Sequence, residues 1–149
     1  MRIRQNVPPM DVRLGLLAEY ASVATDGKLN VLGIFDQLNS PTFPAGLPIF
    51  YVVVSFSVGP AEFDVEKKVL IILHDADNNE LLRMEQSATV ARPTIPGIRA
   101  TLNVVSGFAG IAFAKPGNFQ FSVVVDGRTE AAIPLYVTRI GGSSNAAGN

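Results

Sequence analysis

Apolar runs rich in valine, isoleucine and phenylalanine recur along this chain, and each is closed by glycine, proline, asparagine or aspartate. Such runs, with no sustained helical period between caps, are strand signals. The clearest is Ile49–Val58, where Phe50, Val52, Val54, Phe56 and Val58 share one parity and Ser55 and Ser57 the other. Successive side chains of a strand point to opposite faces, so this run predicts one face in the core and a polar face toward water.

The same logic places strands over residues 12–23 and 29–38, joined by Thr25-Asp26-Gly27-Lys28. An Asp-Gly pair between two apolar runs is a hairpin signal, because glycine accepts the positive φ of a tight turn. Residues 40–48 hold three prolines, which cannot donate ladder hydrogen bonds and mark a crossing loop. Residues 67–74 and 81–90 predict a second hairpin around residues 75–80, and 91–98 form another proline-bearing loop. Residues 100–113 are extended, with a break expected at Gly107 and Gly110. Strands over 119–125 and 131–140 flank the Asp126-Gly127 turn.

This pattern predicts an all-β, antiparallel two-sheet sandwich, immunoglobulin-like or jelly-roll-like, of about eight or nine strands. Residues 1–11 are expected as an N-terminal arm, 12–140 as the domain, and 141–149, small and polar, as a flexible tail. At 149 residues the chain suits one domain, and folding at this size buries about 70% of the surface that the unfolded chain exposes.

Composition narrows the function classes. Twelve basic and thirteen acidic residues give a net charge of −1, which argues against a nucleic-acid partner, since that needs Lys and Arg gathered on one face. There is no cysteine, so disulfides, thiolate metal sites and cysteine nucleophiles are excluded, and a cytoplasmic setting is the expectation. The first ten residues hold two arginines but no apolar core of a signal peptide, and no apolar run is long enough to span a bilayer, so no membrane partner is expected. Charged residues make up only 17% of the chain against about 25% in an ordinary domain. A low charged fraction beside a 48% apolar share leans toward an assembly.

Residues 16–35 (LLAEYASVATDGKLNVLGIF), 41–44 (PTFP), Pro60-Ala61-Glu62-Phe63 and the closing 117–127 (GNFQFSVVVDG) resemble a family of short uncharacterised bacterial proteins, a domain of unknown function. The resemblance implies a compact β-domain of bacterial or phage-related origin. It brings no activity and no functional residues with it.

Chemistry-bearing residues are sparse. His74 is the sole histidine and sits beside Asp75 at a strand end, which leaves no partner set for triad or zinc chemistry. Residues 75–80 (DADNNE) begin like a calcium loop, but Glu80 stands where glycine is required and Gln86 where the bidentate glutamate is required. The turn reads as a solvated one, with a weak calcium site shared with another loop's acid, such as Asp126, as the lesser alternative. Asp36, Glu62, Asp64 and Glu85 show no pairing by spacing, and the glycines form no phosphate-cradling run. No catalytic residue, metal or cofactor is assigned, and no enzyme activity is expected.

What remains is apolar surface in excess. Residues 69–73 (VLIIL) and 29–38 are apolar at both parities, so these strands need cover on both faces. That cover is either the chain's own loops, a short helix or a neighbouring subunit. The favoured reading is a non-enzymatic self-assembly or protein-interaction module, a homo-oligomer or the binder of a protein partner, with Leu32, Ile34, Phe35, Leu70 and Ile72 as interface candidates. A second reading is a small-ligand module built from the loops 40–48 and 91–98, with Phe43, Arg92 and Arg99 facing a shared pocket. A hydrolase with an acidic site is the third.

Overall fold

The structure, a computed structural model, describes residues 9–141. Most of the expected arm and tail lies outside the described residues. Met10 and Asp11, expected in the arm, instead open the first strand, where they pair with Val58 and Ser57. The strands are β1 (Met10–Val23), β2 (Leu29–Phe35), β3 (Gln37–Ser40), β4 (Ala45–Gly46), β5 (Ile49–Val58), β6 (Glu66–His74), β7 (Glu80–Thr89), β8 (Ala100–Ala109), β9 (Ala112–Phe113), β10 (Gly117–Val125) and β11 (Arg128–Arg139). A 3-10 turn, Pro60–Glu62, follows β5.

The fold is all-β, with eleven strands in three sheets among the described residues. One sheet runs β2-β1-β5-β8, the second β3-β11-β10-β6-β7, and β4 pairs β9 in a small third. The extra strands arise where expected runs divide. Residues 29–38 split at Asp36, so that β2 stays beside β1 while β3 leaves for the other sheet and pairs in parallel with β11. This parallel edge departs from the wholly antiparallel expectation. The proline-bearing stretch then carries the chain back to β5, with β4 along the way. Gly110, at φ 73°, ends β8 before β9, whereas Gly107 lies within β8, where a Cβ would come to 3.0 Å from the ring of Tyr51.

The two larger sheets face each other across one core. Phe50 of β5 meets Phe35, Phe108 and Phe121 at ring-centroid distances of 6.1, 5.9 and 5.8 Å, and Phe121 belongs to the opposite sheet. The inward parities of β6 and β10 complete this core with Val69, Ile71, Leu73, Val123 and Val125.

One expectation fails in an informative way. Ser55 and Val53 have the parity assigned to solvent, yet both are buried, as is Ala18 of β1. Their cover is the hairpin of β1 and β2. Ala18 pairs Tyr51, and from there β1 runs toward the Ile49 end of β5. A straight ribbon would carry Gly27 about 30 Å further in that direction at ~3.3 Å per residue. Instead the Gly27 carbonyl accepts a hydrogen bond of 3.4 Å from Asn103 Nδ2, and Asn103 pairs Ser55, on the other side of Tyr51. β1 also approaches β8, although β5 lies between them in the sheet. The ribbon therefore curls back over the outer face of its own sheet. Small residues allow the close approach: Ala18 and Ala21 are both buried, and Tyr20 meets Tyr51 edge-on at 5.8 Å.

The turn closing the ribbon forms as its sequence predicts. Gly27 has φ 88°, its N–H reaches the Ala24 carbonyl at 2.8 Å, and the Lys28 N–H is held by Asp26 Oδ1 at 3.1 Å.

Val53→Ala is expected to lower stability by about 2 kcal/mol in denaturant unfolding, as for a core truncation. An effect within about 0.5 kcal/mol, typical of an open sheet face, would mean that the ribbon does not cover it.

Candidate functional site: the curled sheet and its ribbon

Folding the ribbon over the sheet divides the apolar residues of β1 and β2 into a covered and an open set. Leu32 is 69% exposed and Ile34 64% exposed, two residues apart on the edge strand, and Tyr20, across from Leu32, is 50% exposed. β2 itself contains no ionisable residue. Of these, Leu32 is the most open; Ile34 also borders the groove beneath the ribbon, and Tyr20 rests its ring edge-on against Tyr51. The nearest acid is Glu19, which packs against Gly33 at φ 75°.

The other interface candidates are placed differently. Phe35 is half-buried and packs against the core through its edge contact with Phe50. Ile72 is only 8% exposed; in the register it lies between Ser122 and Arg83. Leu70 is half-buried between Val124 and Glu85. Lateral neighbours within one subunit thus cover Ile72 and part of Leu70, which leaves Leu32 and Ile34 as the open members of the set.

Beneath the ribbon is a groove of about 650 Å³. Leu14, Leu16, Leu29, Val31 and Ile34 supply its apolar side, and Arg13 and Lys28 its cations. The Arg13 guanidinium donates to Thr101 Oγ1 at 3.3 Å and has no carboxylate partner among the described residues. Lys28 has a loose contact with Asp26 at 3.7 Å, both side chains being largely in water. Asn103, which also lines the groove, donates to Gly27 but keeps Oδ1 buried without a donor.

The proline-bearing loops do not share an end. The loop before β5 lies by Ile49, whereas residues 91–98 precede Ala100, which pairs Val58 at the far end of the same strand. Ten residues of strand, about 33 Å, separate them. Phe43 packs against the core under Arg139, whose guanidinium lies 4.7 Å from the ring centroid. Arg92 lies over Phe63, 5.5 Å from its centroid, and 3.6 Å from Asp64. Arg99 donates to Ser57 Oγ at 2.7 Å and to the Ser57 carbonyl at 3.0 Å. The three residues therefore face no common pocket.

The acids do not converge either. Glu85 pairs Lys68 at 3.3 Å, Asp64 approaches Arg92, and Glu62 takes Lys67. No group of three or more metal-ligating His, Asp or Glu occurs among the described residues. The turn before β7 and Asp126 lie at opposite ends of the five-stranded sheet, since His74 pairs Gln120 and Val69 pairs Val125. Asp75 instead ties its own turn, accepting from the Asn79 side chain at 3.0 Å and from the N–H groups of Asn79 and Asp77 at 2.8 and 2.9 Å. These bonds, the Asn79 side chain first, hold its carboxyl below the ordinary aspartate value.

Lys67 escaped the sequence reading. Its side chain is 2% exposed and is ion-paired with Glu62, with Asp126 3.8 Å away. The signal was its parity, which it shares with Val69, Ile71 and Leu73. A buried ammonium requires a counter-ion, so this pair fixes the 3-10 turn against the start of β6.

Residues 13–138 match a family of unknown function, DUF6941. The chain belongs to that family. No curated protein matches it. The match takes in β1 through nearly all of β11, so the curled sheet, ribbon and groove all lie inside the DUF6941 region. No helix of this DUF6941 protein is long and apolar enough to cross a membrane among the described residues.

Two outcomes test this account of the charged groups. Glu62→Gln, which leaves the buried ammonium only the looser Asp126 carboxylate, should destabilise by about 2 kcal/mol after allowance for the partial exposure of Glu62, whereas Lys67→Met should stay within about 1 kcal/mol of the parent in denaturant unfolding. The depressed Asp75 value means that its contribution to folding is present above the ordinary aspartate pKa and is lost as pH falls through the lower folded-state value. In an NMR titration the Asn79 amide should accordingly move with a midpoint below that of an unstructured aspartate.

Proposed function

We propose that the protein is a two-sheet sandwich that acts without catalysis, as a self-assembly module whose contact surface is the open side of the β1–β2 ribbon. The exposure of Leu32 and Ile34 on an edge strand supports this reading. Apolar side chains gathered on an exposed edge strand are a common mark of an interaction surface. A second copy suits this edge because β2 carries no charge, and a two-fold contact sets each residue of the patch near its own counterpart. Like charges so apposed would repel, and here none are present in the strand.

Gly33 shapes how the contact forms. Its positive φ interrupts the extended backbone midway along β2, which blunts simple edge-to-edge pairing. Side-chain packing of ribbon on ribbon is the geometry that remains. The patch is smaller than the roughly 800 Å² per partner of a standard interface, so the association should be weak and concentration-dependent.

Sedimentation velocity over a range extending to high micromolar protein tests this. The parent chain should shift from monomer to dimer, and Leu32→Glu with Ile34→Glu should stay monomeric with nearly unchanged thermal stability, because both sites are exposed. A parent chain that remains monomeric throughout, or a dimer indifferent to the double substitution, would overturn the proposal.

A further inference from the structure

The geometry points to a second, separate site: the groove under the ribbon binds an aliphatic carboxylate, with the acid group at Arg13 and the chain along Leu14, Leu16 and Val31. Three observations carry this. The groove, at about 650 Å³, lies within the usual size range of small-molecule sites. Its hydrophobic side comes from both layers, Leu14 and Leu16 from the sheet and Leu29 and Val31 from the ribbon, so an apolar chain lying there would be covered on two sides. Its charges have one sign, since Arg13 and Lys28 line it and no carboxylate does.

Arg13 decides the ligand class. A guanidinium presents a planar fork of donors suited to a carboxylate, and among the described residues this one is engaged only by the Thr101 hydroxyl at 3.3 Å. The neighbouring Ser55 and Thr101 are neutral, so nothing in the lining competes for the cation. A neutral aliphatic ligand would leave Arg13 as it stands, and a small anion would leave the apolar side wet. Only a ligand combining both parts uses both features. The shared chemistry, an apolar body ending in a carboxylate, occurs in a free medium-chain acid and in the C-terminal residue of a peptide.

The probes are decanoate, 1-decanol, acetate and N-acetyl-leucyl-leucine, titrated into the full chain and followed by amide NMR shifts. Decanoate should bind saturably and move the amides of Leu14, Leu16, Val31 and Asn103. Acetate should not saturate. Arg13→Gln should weaken decanoate about tenfold, as for loss of a charge-assisted hydrogen bond, and leave decanol unchanged. Val31→Trp, which fills the groove, should remove both decanoate and decanol, and an otherwise conserved amide spectrum shows that it folds. The peptide arm names the source: the acid that binds more tightly, decanoate or the dipeptide, is the better mimic.

No saturable binding of either carboxylate would overturn the inference. So would equal decanoate affinity in Arg13→Gln, or shifts confined to the separate cavity around Phe113 and Phe119. Failure here is distinct from failure of the assembly proposal, because Leu32→Glu should abolish association without touching the Arg13 side of the groove.

Discussion

The architecture depends on covering β5 twice. Its inward parity enters the phenylalanine-centred core, and its outward parity, Tyr51, Val53 and Ser55, is closed by the ribbon that the same sheet sends back over itself. A strand buried on both faces needs two apolar partners, and a two-layer fold supplies only one. The curl supplies the other from within the chain. It also explains the low charged fraction, since a third partial layer needs apolar surface that a plain two-layer domain would replace with charge.

Much of this was legible because strand parity is a local property. The limits of β5, the Asp26-Gly27 turn and the break after β8 follow from residue spacing and from the φ freedom of glycine. The division at Asp36 was not legible, because both halves of residues 29–38 read as strand and the change of sheet is set by whether β1 or β11 offers a free edge. The curl was hidden for a related reason. Parity identifies which side chains need cover, but it cannot say whether that cover comes from the chain or from a partner. Ala18, Ala21 and Gly107 were the available hint, since small residues at successive positions of long apolar strands permit one layer to lie close on another.

The site residues follow the same rule. Leu32 and Ile34 were marked only by being apolar at both parities, and it is the edge position of β2 that leaves them open. Ile72 and Leu70 have the same pattern in sequence but sit on β6, which has neighbours on both sides, and lateral packing covers Ile72 and part of Leu70. Position in the sheet, which the sequence does not state, separates the two cases. Phe43, Arg92 and Arg99 illustrate the converse: loops alike in composition were grouped, and ten residues of β5 hold them apart.

A curled ribbon has a mechanical consequence for the groove beneath it. The ribbon is anchored firmly near its base, where Ala18 is buried and Tyr20 meets Tyr51, whereas its tip is held to β8 through the 3.4 Å bond from Asn103. Stability therefore falls from base to tip, and local opening begins where contacts are fewest. The tip carries Gly27 and Lys28, which border the groove, while Leu32 and Ile34 lie nearer the base on the opposite strand. The same element can thus hold Leu32 on its firmer part and present a yielding wall toward the groove.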